Sequence, residues 1–111
     1  WLVIGDTPEL ILHVPDCLSQ NEEDITRCGQ TRKLSTSRAF QTAEKQMVEE
    51  LARVRGQNIT YADPTLWLCG EWCPPVRGGL ILYRDDNHIS ISASYAYTTK
   101  VRAVLDPLLG R

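Results

Sequence analysis

Asp85 and His88 stand three residues apart in the run Asp85-Asp86-Asn87-His88. At that spacing one tight turn can bring a carboxylate and an imidazole to the same side of the chain. The carboxylate then holds the Nδ1–H, fixes the tautomer and stabilises the imidazolium formed during proton transfer, and the other nitrogen is left to deprotonate a hydroxyl. Acids also fall near histidines by chance. The competing reading makes Asp85 and Asp86 helix N-terminal charges and His88 an exposed side chain. His13 is the other histidine. With no acid on an obvious shared face, it reads as a surface or packing residue. Ser90, Ser92 and Ser94 follow His88 and read as helix-start and helix-surface groups.

Four cysteines fall as two close pairs, Cys17 with Cys28 and Cys69 with Cys73. An even count in short loops suggests two disulfides and an oxidising compartment. Four cysteines allow three connectivities, and near-neighbour pairing is the simplest. Loop entropy makes the first bridge worth about 3 kcal/mol and the tighter one about 2 kcal/mol. The rival is a zinc site, against which stand the spacings and the stiff Pro74-Pro75 after Cys73. No metal and no cofactor is therefore expected.

The elements that must carry these groups follow from periodicity. Trp1 to Ile4 is an apolar run closed by Gly5-Asp6-Thr7-Pro8, read as a buried strand ending in a turn. Residues 8 to 34 hold no sustained period and read as a long loop stapled by the Cys17–Cys28 bridge. A helix is expected from Ser35–Ser37, with a hydroxyl cap, to Gly56. Its apolar stripe is Phe40, Ala43, Met47, Leu51 and Val54, read as core packing. Residues 58 to 63 alternate as a short strand, so strand, helix and strand make a βαβ unit that favours a parallel sheet. A second loop, Pro64 to Gly79, holds the tight cysteine pair. Leu80 to Tyr83 is strand or extended chain. A last helix carries Ile91, Tyr95, Thr98, Val101 and Leu105 and ends near Pro107.

The balance of 12 Lys+Arg against 14 Asp+Glu, a net charge of −2, argues against a nucleic-acid partner. Apolar residues at 42% and charged residues at 23% of 111 mark one globular domain's worth of chain. The opening in mid-strand reads as a piece cut from something longer.

Tyr83-Arg84-Asp85-Asp86-Asn87-His88-Ile89-Ser90 resembles the last block of SGNH (GDSL-like) hydrolases. More narrowly, it resembles the SGNH domain fused to bacterial acyltransferase-3 membrane proteins. Leu2-Val3-Ile4-Gly5-Asp6-Thr7-Pro8, then Val14-Pro15-Asp16-Cys17-Leu18, is similar to the strand and cysteine loop of that subgroup. Asp63-Pro64-Thr65-Leu66-Trp67-Leu68-Cys69, with Cys73-Pro74, is similar to its second cysteine loop. The resemblance implies an α/β fold, flavodoxin-like, three layers α/β/α with a parallel sheet. It implies that residues 1–111 are the C-terminal portion of a single SGNH-like domain, incomplete by itself.

The family carries a Ser-His-Asp triad and an oxyanion hole from serine, glycine and asparagine blocks. His88 matches the general base and Asp85 the residue that orients it. The nucleophile and oxyanion blocks are expected ahead of Trp1. Thr7 is the lesser nucleophile candidate, because Ile4-Gly5-Asp6-Thr7 resembles a Gly-Asp-Ser block with threonine for serine. Against it, no fitting glycine or asparagine block follows, and Pro8 removes an N–H at the helix start.

The implied function is that of an SGNH-type O-acyltransferase or esterase. It would act on acyl groups, acetyl being the expected one, of cell-surface carbohydrate. Its partners would be that carbohydrate or acyl-ester substrate, the N-terminal remainder of the domain, and a membrane acyltransferase domain. The expected place is the extracytoplasmic face of a bacterial cell membrane, with the chain inactive alone. The alternative is a small secreted, disulfide-stapled binding or structural domain, with Trp67, Trp72, Tyr83 and Tyr95 offering a stacking surface for sugars.

Overall fold

A computed structural model describes residues 1–37 and 41–111. In chain order the described elements are β1 (Leu2–Ile4), α1 (Val14–Gln20), a 3₁₀ turn (Ile25–Cys28), β2 (Gln30–Thr31), α2 (Arg32–Ser37) and α3 (Gln41–Arg55). Then come β3 (Thr60–Ala62), α4 (Thr65–Leu68), β4 (Trp72–Cys73), β5 (Val76–Arg77), β6 (Leu80–Ile81), α5 (Ile91–Ala96) and α6 (Thr98–Leu108). The architecture is α/β.

β1 and β3 pair in parallel, Leu2 opposite Thr60, Val3 opposite Tyr61 and Ile4 opposite Ala62. The helical region between them supplies the crossover that a parallel pair needs. Among the described residues this sheet has two strands. That leaves β1 less covered than a buried strand: Leu2 and Val3 are half-buried and Ile4 is exposed. The α3 stripe departs from expectation for the same reason. Met47, Leu51 and Val54 are exposed, Met47 at 68%, because a two-stranded sheet is too narrow to cover a fifteen-residue helix. Phe40 lies outside the described residues. Ser35 and Thr36 are inside α2 rather than capping a later helix, and both hydroxyls turn back onto carbonyls of the preceding turn, those of Thr31 and Arg32.

The stretch 8–34 is not one loop. Pro15 sits in the first turn of α1, where its missing N–H costs nothing. Asp24 caps the 3₁₀ turn by accepting from the Thr26 N–H. The elements are too short to show a period, which is why the sequence reads as irregular there. Cys17–Cys28 joins α1 to the 3₁₀ turn, and Cys69–Cys73 closes the loop after α4.

The core gathers around the Cys69–Cys73 bridge rather than beneath the parallel pair. Leu10, Val14, Leu68, Leu82, Tyr83 and Ala93 are buried with Cys69 and Cys73 in one cluster. Each large aliphatic side chain there contributes about 2 kcal/mol by leaving water. The second cysteine loop leads into a hairpin, β5–β6, pairing Val76 with Ile81 and Arg77 with Leu80. Its two-residue turn is Gly78-Gly79, with φ of +58° and +77°. Positive φ at both positions is the type I′ geometry that only residues without a Cβ adopt readily. That Gly-Gly pair was the available sequence signal for a hairpin.

The last helix is two, α5 and α6, meeting at Tyr97. Ile91 and Tyr95 face solvent, at 72% and 77% exposure. The side of α5 that meets the core instead carries Ala93, four residues before Tyr97. Pro107 lies inside the final turn of α6, which continues to Leu108.

Candidate active site

Asp85 to His88 form the turn of a narrow loop. Tyr83 bridges to Ile89 in antiparallel fashion, and the Arg84 N–H donates to the His88 carbonyl at 2.9 Å. Below this closure Ser90 caps α5. Its hydroxyl accepts from the Ala93 N–H at 3.1 Å and donates to the Ile81 carbonyl at 2.6 Å, the helix-start role read for it.

Within the turn the Asp85 carboxylate is used on both oxygens. Oδ1 accepts from the Asn87 N–H at 3.0 Å and the His88 N–H at 2.6 Å. Oδ2 lies 2.8 Å from His88 Nδ1. The Arg84 Nε is 3.9 Å from the same oxygen. Burial pushes the Asp85 carboxyl up, but the N–H groups of His88 and Asn87, with the imidazole, outweigh it and hold the group at about 2. A carboxylate ionised across the physiological range accepts the Nδ1–H and leaves Nε2 for a proton from elsewhere. The side chain of Asp85 is 27% exposed and that of His88 63%, so the acid is shielded and the base is accessible.

His13 provides a comparison within the molecule. Contrary to expectation it has an acid beside it, Asp16, with Nδ1 to Oδ2 at 3.2 Å. Both side chains are well exposed, at 49% and 74%. The Asp85–His88 pair differs in that backbone donors hold the carboxylate.

The turn is strapped from behind by residues 7–14. The Val14 N–H donates to the Asp85 carbonyl at 3.2 Å and the Leu10 N–H to the Asp86 carbonyl at 2.7 Å. The Thr7 hydroxyl donates to the Asn87 carbonyl. Thr7, the lesser nucleophile candidate, is thus brought to the loop of His88, with its proton committed to a backbone oxygen. Sequence reasoning missed this strap, since residues 7 and 87 carry no mutual signal.

An apolar cavity of about 240 Å³ opens beside the turn, lined by Ile4, Gly5, Thr7, Trp67, Ile89 and Tyr97 among others. It lies at the carboxyl ends of β1 and β3, where open α/β sheets bind ligands. Neither this cavity, which reaches the loop through Thr7 and Ile89, nor one of about 500 Å³ under Arg32, Lys45 and Asp63 is lined by any of residues 85–88. Of the four aromatics considered for sugar stacking, Tyr83 is fully buried and offers no face, whereas Tyr95 and Trp72 are exposed.

All four cysteines are bridged, so none has a thiolate to offer a metal, and the described residues hold no cluster of three or more metal-ligating side chains. Among the described residues no helix is long and apolar enough to cross a membrane. No curated protein and no solved structure matches the chain. A protein-family model does, over residues 2–103: the SGNH domain fused to AT3 domains.

Proposed function

The chain belongs to the SGNH domain family fused to AT3 domains, and from that membership we propose that it supplies the Asp-x-x-His half of a Ser-His-Asp triad in an acyltransferase or esterase. The observation that carries the reading is the Asp85 carboxylate gripping His88 at its backbone N–H and its Nδ1. Asp85 orients; His88 is the general base. His88 takes the proton of a serine hydroxyl as that serine attacks an acyl ester, and returns it to the leaving alcohol. A sugar hydroxyl or water then resolves the acyl-serine by the reverse steps. The acyl group is acetyl in this reading and the acceptor is cell-surface carbohydrate.

The serine and the oxyanion donors belong, in this proposal, to blocks outside residues 1–111, which form the C-terminal portion of one flavodoxin-like, three-layer domain. Two features support that reading. Among the described residues the parallel sheet has two strands, below the usual size, and parallel sheets are ordinarily covered on both faces. Met47, Leu51 and Val54 of the α3 stripe are exposed among the described residues. The AT3 fusion in the family's description supports a membrane-associated parent, and the proposal puts this domain on the extracytoplasmic face, in keeping with two disulfides.

The test is p-nitrophenyl acetate hydrolysis by the intact parent protein, its variants and the 1–111 chain. The parent is expected to be active, and residues 1–111 alone to stay at background. In the parent, His88→Ala should cost about a million-fold in turnover and Asp85→Asn about ten-thousand-fold, through the wrong tautomer. A parent indifferent to His88→Ala would refute the assignment. Robust turnover by the 1–111 chain that vanishes in Thr7→Ala would place the nucleophile at Thr7.

A further inference from the structure

We propose that Thr7 is a positioning residue for the Asp85–His88 pair, acting through its hydroxyl on the peptide that joins Asn87 to His88. The inference rests on the reading of His88 as a base. That peptide is held at both ends by side chains. Its carbonyl accepts from the Thr7 hydroxyl, and its N–H donates to Asp85 Oδ1 at 2.6 Å. Two bonds on opposite edges of a rigid plane fix its rotation about the chain axis. The plane ends at the His88 Cα, so its rotation sets where the imidazole leaves the backbone. Donation to the carbonyl also polarises the peptide and strengthens the N–H bond to Asp85.

The local sequence delivers Thr7 to this place. The Gly5 N–H donates to the Ala62 carbonyl at 2.8 Å, so the parallel pairing runs one residue past β1. A Cβ on Gly5 would stand 2.0 Å from the Tyr61 hydroxyl, so a larger residue there would have to displace the Tyr61 ring end. Pro8 is fully buried, and a residue before proline is driven to extended backbone. The Thr7 N–H is taken by Asp6 Oδ1 at 2.8 Å, so the side chain is the part of Thr7 that reaches the turn. The neighbouring strap bonds, from Leu10 and Val14, are main-chain bonds that other side chains would leave in place. The bond from Thr7 depends on its hydroxyl.

The experiment compares the 1–111 chain with its Thr7→Val and Thr7→Ser variants by ¹⁵N NMR of the imidazole nitrogens, with His13 as internal reference. Thr7→Val, which keeps shape and loses the hydroxyl, should lower the share of the His88 Nδ1–H tautomer at least about two-fold. Thr7→Ser should retain it. In the intact parent, Thr7→Val should lower kcat about ten-fold with KM unchanged, and serine should rescue. Unchanged His88 nitrogen shifts in Thr7→Val, or an equal loss in Thr7→Ser, would overturn the proposal. Loss of helical circular dichroism in Thr7→Val would also overturn it, by making Thr7 a residue of global stability. The NMR reading needs no turnover. A parent indifferent to His88→Ala would sink the acyl-transfer reading while the effect of Thr7 on the imidazole stood.

Discussion

Asp85 grips His88 twice: Oδ1 takes the backbone N–H at 2.6 Å while Oδ2 faces the ring Nδ1 at 2.8 Å. One carboxylate therefore sets both the turn and the ring that projects from it. Ionisation strengthens both contacts, and so Asp85 contributes to the acid end of the stability profile.

The Asp85 carboxyl is held at about 2 in the folded chain, below its unfolded value of about 3.9. A depressed carboxyl contributes stability that is full above the unfolded value and lost as the pH falls through the folded one. The urea midpoints of the chain and of Asp85→Asn should therefore differ by a constant amount down to about pH 4, and converge towards about pH 2. A gap that stays constant to the lowest pH would mean that the carboxylate charge contributes nothing.

Tyr83 is fully buried, and its hydroxyl has no hydrogen-bond partner among the described residues. Burial pushes the phenol well above its ordinary range, with Tyr97 adding to the shift and Arg77 opposing it. A buried hydroxyl without a partner bears its desolvation penalty uncompensated. Tyr83→Phe should raise the stability of the chain by about 1 kcal/mol, read from its urea midpoint at unchanged slope. A fall of similar size would show that the hydroxyl has a partner after all.

Met47 and Val54 are 68% and 66% exposed on α3. In the 1–111 chain, Met47→Lys and Val54→Lys should each change stability by less than about 0.5 kcal/mol, as surface substitutions do. In the intact parent the proposed larger domain covers this stripe, and burying a lysine there should cost several kcal/mol. Thermal melts of both proteins with both variants decide it. Equal tolerance in the parent would count against the stripe's being covered.

How much was legible follows from distance along the chain. The contact between Asp85 and His88 is a matter of one turn, and type and spacing pointed to it. β3 and α3 were legible because an alternation and a 3.6-residue period are local. The exposure of Met47 was not, since a period reports which residues share a face and not whether anything lies against it. For α5 the period misled: Ile91 and Tyr95 share a face, but it is the opposite face, with Ala93, that meets the core, and Tyr97 packs there too. In residues 8–34 the elements are shorter than the window that reveals a period. The strap from Thr7 was beyond reach, because nothing in a threonine at one end announces a carbonyl at the other.

The site is built from bonds of very different span. His88 meets Asp85 across three residues, and Thr7 meets Asn87 across eighty. Closing the longer loop costs about 3 kcal/mol more in chain entropy than closing the shorter one. The acid–base pair can therefore form while most of the chain is still searching, at the pace of loop closure, whereas the bond that orients the pair waits for β1 to find β3. During refolding, contact between the carboxylate and the imidazole should precede their correct orientation, and any acquisition of activity should lag the first and coincide with the second.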